Sequence, residues 1–133
     1  MNAIIEQRFD TTELHLLHSP AIVIYHILRR DVALADGKLR VKATLADGGL
    51  IELFEYVSEI KGKIYVLKYS FHWQDAHGKL KKRWDNAPHY PDLPHAPHHV
   101  HHEDDSVHGV VHPPDILTVL QVLEAHYTDN RQD

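Results

Sequence analysis

The sequence predicts an α+β fold. An antiparallel β-meander of about five or six strands packs against a C-terminal amphipathic helix, with a short helix at the N-terminus. Turn signals recur at regular spacing, at Asp36-Gly37, Asp47-Gly48-Gly49, Lys61-Gly62-Lys63 and Asp75-Ala76-His77-Gly78. The stretches between them alternate apolar and polar residues at period two, the pattern of a strand with one buried face. Beyond them, Pro113-Pro114-Asp115 opens a run in which Ile116, Leu120, Leu123 and Tyr127 recur at helical spacing.

Taken in order, 11–18 reads as a short helix capped by threonine and ended before Pro20. Residues 22–34, rich in β-branched and aliphatic side chains, form the first strand, and 39–45 and 50–57 the next two. The strongest strand is 64–74, where alternation puts Tyr65, Leu67, Tyr69, Phe71 and Trp73 on one face. Residues 79–85 complete the main hairpin series. Four prolines make 88–97 an irregular loop. Residues 107–112 read as a short edge strand, 114–127 as the C-terminal helix, and 128–133 as frayed. The expectation is one domain over residues 1–133, with a His/Pro-rich functional loop at 86–112.

A chain of 133 residues is long enough to bury a core without cross-links. Apolar residues at 43% and charged residues at 25% are ordinary for a globular protein. The absence of cysteine excludes disulfides, thiolate metal sites and cysteine nucleophiles. No basic segment followed by a long apolar run marks a signal peptide, and no segment is apolar enough to span a bilayer, so a cytoplasmic protein is expected. A formal charge of −5 argues against general affinity for nucleic acid. The local block Lys79-Leu80-Lys81-Lys82-Arg83 is nevertheless strongly basic.

Eight of the fourteen histidines fall between His89 and His112, interspersed with prolines. Imidazole serves proton transfer, metal ligation and phosphate binding near neutral pH, so this region draws the functional reading.

The motifs here are Tyr69-Ser70-Phe71-His72-Trp73-Gln74, Arg83-Trp84-Asp85-Asn86-Ala87-Pro88-His89 and Pro97-His98-His99-Val100-His101. With the preceding meander and the Pro-Pro-helix ending, they resemble the TumE family of bacterial and archaeal toxins. The resemblance covers most of the chain. It implies a compact toxin whose partner is a helix-turn-helix antitoxin encoded beside it, and it attaches no firm reaction. His95, His102, His108 and His112 are additional to the resembling pattern.

Three functional readings stand side by side. In the first, the toxin is a metal-independent endoribonuclease. His72 pairs with His98 or His99 as acid and base, Arg83 and Lys81 share a strand face and hold the phosphate, and Asp85 orients a histidine. Lys81, Trp73, Asn86 and His89 are the expected substrate contacts. The aromatic face of the strand is mainly core, with only Trp73 and Trp84 kept as stacking residues.

In the second reading, His99 and His101 alternate on a strand and face one side. With His72 or Asp85 they hold zinc, nickel or manganese in a metal-dependent nuclease or phosphoesterase. In the third, the histidine loop is a structural or recognition element of a non-enzymatic interaction protein, pinned by imidazole–carbonyl bonds, with no cofactor. An RNA target, an antitoxin docked on an exposed strand edge and a homodimer complete the expected partners.

Overall fold

The first helix, α1, spans Ala3–His18. Asn2 caps it: its side-chain oxygen accepts from the backbone N–H of Ile4 at 3.1 Å and of Ile5 at 3.0 Å. The helix thus starts eight residues before the expected threonine cap. Thr12 lies mid-helix, its hydroxyl donating to the carbonyl of Arg8. What carries the helix is the spacing of Ile5, Phe9, Thr12 and Leu16, all buried on one face. Arg30, on the neighbouring strand, meets Glu6, Asp10 and Glu13 on the polar side of α1 and ties the helix to the sheet.

The structure, a computed structural model, describes residues 1–129. Seven strands follow α1: β1 Ile22–Val32, β2 Asp36–Leu45, β3 Leu50–Ile60, β4 Lys63–Gln74, β5 Leu80–Asp85, β6 His99–His102 and β7 Val107–Gly109. They lie in chain order in a single antiparallel sheet, one or two strands more than expected. The added strand is β6, which pairs with β5 after the long proline loop, while β7 is the edge strand expected over 107–112, shortened to Val107–Gly109.

Asp36-Gly37 is not a turn. It already belongs to β2, and the chain reverses over residues 33–35. Glycine is needed at 37 because a Cβ there would stand 2.8 Å from Ile5 Cγ2 and 2.9 Å from the Asp31 carbonyl oxygen. The sheet and α1 approach that closely.

One face of the sheet is apolar and carries both helices. Leu39, Val41, Ala43 and Leu45 of β2 meet Ile51, Leu53 and Val57 of β3 and Tyr69, Phe71 and Trp73 of β4 in one core. The aromatic stripe is shorter than alternation predicts. A register shift between Tyr56 and Val57 leaves Leu67 without a ladder partner and sets Val66 opposite Val57 on the helix side, and Tyr65, Val66 and Leu67 are all exposed. The second helix, α2, Ile116–Asp129, closes the core with Ile116, Val119, Leu120, Leu123 and Tyr127. Its cap is Asp115, which accepts from the Thr118 N–H at 2.8 Å. Of the fraying expected over 128–133, Thr128 and Asp129 are still helical, and 130–133 lie outside the described residues. Burying each large core side chain contributes about 1.5–3 kcal/mol relative to leaving it exposed.

One charged residue sits inside this core. Glu55, 1% exposed, receives both Nε and Nη2 of Arg8 at 2.9 and 3.0 Å. The bidentate geometry matches the guanidinium fork to the carboxylate and compensates its burial.

Candidate functional site

Among the described residues, no helix covers the other face of the sheet, and pairing register decides what it presents. Side chains directly opposite one another on adjacent strands share a face, so a row can be read across the sheet. Lys42, Glu52, His72, Arg83 and His101 form one such row over β2 to β6. Two residues along, Arg40, Phe54, Ser70, Asp85 and His99 form the next. Between them lies an open groove of about 440 Å³, with His72 and Ser70 on its floor and Arg40, Lys68 and Arg83 on its walls.

Contacts within the rows hold these groups in place. His72 Nε2 lies 3.0 Å from the side-chain oxygen of Gln74; in the neutral ring that contact places the hydrogen on Nε2 and leaves a lone pair on Nδ1. Arg83 Nη1 approaches that lone pair at 3.4 Å. The same guanidinium donates through Nε to Asp85 Oδ2 at 3.1 Å. Arg40 donates to Glu52 at 2.9 Å and stacks over Phe54, 4.4 Å from the ring centroid.

Asp85 is the hub of the second part. It is 5% exposed, and Oδ1 accepts from the Ala87 N–H at 3.0 Å. His99 Nε2 lies 3.0 Å from Oδ1, and His101 Nε2 lies 3.7 Å from Oδ2. His99 donates from Nδ1 to the Pro97 carbonyl at 2.8 Å. Burial lowers the pKa of His101, against the opposing pull of Asp85. The proline loop completes the wall: the Tyr90 ring stands edge-on to both histidines, with centroids 5.0 Å from His99 and 5.7 Å from His101. That loop lies against the sheet edge so tightly that a Cβ on Gly109 would stand 1.8 Å from the Pro94 carbonyl oxygen.

Of the residues singled out in the sequence, His72, Arg83, Asp85, His99 and His101 share this face. The others do not. His98 faces the helix side, where its Nδ1 lies 2.9 Å from the Tyr69 hydroxyl. Burial lowers the pKa of His98, and burial with the nearby Asp85 charge pushes Tyr69 up to about 12. Trp73 and Trp84 are core residues, 5% and 9% exposed, and Trp73 meets the ring of His126 edge-on.

Lys81 leaves the face expected for it beside Arg83. A register shift leaves it unpaired between Lys82 and Leu80, and its ammonium lies 3.6 Å from Glu103. Asn86 clamps backbone rather than facing the groove, accepting from the Tyr69 N–H and donating to the Leu67 carbonyl, each at 3.1 Å. His89 is exposed in the loop. Arg40, Glu52, Lys68, Ser70 and Tyr90 were not anticipated. The alternation that assigns Tyr69 and Phe71 to the core also assigns Ser70 and His72 to the opposite face, which was the available signal.

The TumE toxin family model matches residues 12–131, nine-tenths of the chain. The chain belongs to the TumE toxin family. It is therefore the toxin of a toxin–antitoxin pair, and an antitoxin is its partner. No curated protein and no solved structure matches it. Among the described residues, no helix of this TumE toxin is long and apolar enough to cross a membrane.

Proposed function

We propose that this TumE toxin acts in the cytoplasm as an endoribonuclease, binding RNA in the groove on the uncovered sheet face. The observation that carries the reading is the 3.4 Å approach of Arg83 to His72 on the groove floor. It sets a proton acceptor beside a group suited to phosphate. His72 Nδ1 takes the proton of a ribose 2′-hydroxyl as the 2′-oxygen attacks the adjacent phosphorus. The bond to the 5′-oxygen breaks, water protonates that oxygen, and a 2′,3′-cyclic phosphate remains. Arg83 stabilises the charge developing on the phosphate oxygens, oriented by Asp85, while Lys68 and Arg40 draw the strand in.

His99 is too deeply buried to meet substrate. The antitoxin in this reading is a helix-turn-helix protein that relieves the toxicity.

The test is to incubate the purified toxin with RNA, with and without a chelator, and to analyse the ends formed. Cleavage that leaves 2′,3′-cyclic phosphate and is lost in His72→Ala supports the reading. Intact RNA in both conditions, at toxin levels that arrest growth, overturns it.

A further inference from the structure

We infer that Asp85, His99 and His101 bind one divalent transition-metal ion of the zinc class at the end of the groove. Their ligand atoms all lie within 4.8 Å of one another. Around a tetrahedral zinc with bonds of about 2.0–2.1 Å, ligand atoms stand roughly 3.4 Å apart. The carboxylate lies near that spacing from both rings, with Oδ1 3.0 Å from His99 Nε2 and Oδ2 3.7 Å from His101 Nε2.

A second observation points to a cation independently of the clustering. His99 Nε2 is buried and makes no hydrogen bond, although His99 is only 1% exposed. Its 3.0 Å neighbour, Asp85 Oδ1, does not supply hydrogen-bond geometry. The ring's other nitrogen already donates to the Pro97 carbonyl. In the neutral ring that bond fixes the tautomer, and Nε2 presents a lone pair to a carboxylate oxygen. Two acceptors face each other in a buried place, an arrangement that costs free energy until a positive charge enters between them.

The surroundings fit a metal ligand set. A ligating histidine characteristically gives its far N–H to a carbonyl, as His99 does, and a ligating carboxylate is held by further donors. Asp85 has these from Ala87 and Arg83. Two imidazoles and one carboxylate favour zinc or nickel over calcium, magnesium or manganese, which prefer oxygen ligands. Three protein ligands would leave a coordination position for water or an anion.

The rival is a metal-free ion pair in which a doubly protonated His99 sits against Asp85. The two are separated without reference to RNA, so the fate of the ribonuclease reading does not decide this one. The full-length toxin, stripped with a chelator, is titrated calorimetrically with zinc chloride at neutral pH. Cobalt(II) replaces zinc in a second titration read by its visible absorption.

One equivalent is expected to bind. Affinity falls by more than about 100-fold in Asp85→Asn and in His101→Gln, beyond the loss that removing an outer-shell partner brings. His101 is half-buried, so its variant keeps the test open if His99→Gln fails to fold. A protein carrying His89→Gln, His95→Gln, His102→Gln and His108→Gln keeps the full affinity. Absence of stoichiometric binding overturns the inference in favour of the ion pair. Binding that survives His101→Gln but disappears in the fourfold variant marks adventitious capture by exposed histidines and overturns it equally.

Discussion

The Tyr69 hydroxyl lies 2.9 Å from His98 Nδ1 on the helix-covered side of the sheet, while the adjacent His99 faces Asp85 on the open side. Consecutive residues on a strand point in opposite directions, so two neighbouring imidazoles have unrelated surroundings. His98→Ala is expected to lose about 1–2 kcal/mol of stability, since it removes the Tyr69 hydrogen bond, and to retain toxicity. Denaturant unfolding and growth arrest on expression check the two halves. A folded His98→Ala that no longer arrests growth would move the chemistry to the helix side.

His72→Ala should behave in the opposite way. Its ring meets Gln74 and Arg83 at the groove floor and packs into no core, so the unfolding free energy should change by less than about 1 kcal/mol. RNA cleavage is expected to fall by about 10²–10⁴-fold, as for loss of a general base.

Arg83→Lys keeps the charge and loses the fork that reaches His72 and Asp85 together. Cleavage should drop by at least about tenfold, a loss of roughly 1.4 kcal/mol in transition-state stabilisation. Lys81→Ala, directed at Glu103, should leave activity near wild type. Equal effects in a side-by-side rate measurement would count against a phosphate role for Arg83.

Arg8→Ala leaves the Glu55 carboxylate buried without its partner. A destabilisation of about 3 kcal/mol is expected in denaturant melts. Arg8→Met combined with Glu55→Leu should recover most of it, because the uncompensated charge is then gone.

Asp115 is held below the ordinary carboxylate value. Burial opposes the shift, and the hydrogen bonds from Thr118 outweigh it. A depressed carboxyl contributes stability above its unfolded-state pKa and loses it as pH falls through the folded one. Asp115→Ala should therefore cost about 0.5–1 kcal/mol at neutral pH, the lower part of the range for an exposed cap. The gap to wild type should narrow below the ordinary value of 3.8. Urea midpoints at neutral and acid pH test the sign.

Local patterns carried much of this structure. The turns at Asp47-Gly48, Lys61-Gly62 and Asp75–Gly78 and the spacing of Ile116, Leu120, Leu123 and Tyr127 are short-range signals, and each marks a real boundary or face. Alternation also put His99 and His101 on one side. It failed where the ladder slips, at Leu67 and Lys81, because a bulge inverts every side chain beyond it without changing residue type.

The start of α1 at Asn2 was open to reading, since asparagine caps at least as well as threonine and Ile5, Phe9, Thr12 and Leu16 follow it at helical spacing. The gathering of Arg40, Lys68 and Ser70 around His72 depends on register between strands far apart in the chain. The Arg8–Glu55 pair, 47 residues apart, depends on how the helix docks. Neither is written in any single window of sequence.

Gly109 has a wider consequence. With the Pro94 carbonyl oxygen 1.8 Å from where its Cβ would stand, even a methyl group lifts the stretch that brings Tyr90 against His99 and His101. Loop and edge strand are thus one inheritable unit. A chimaera that exchanges the proline segment between related toxins must transplant the short terminal strand with it, or the histidine wall is left unroofed.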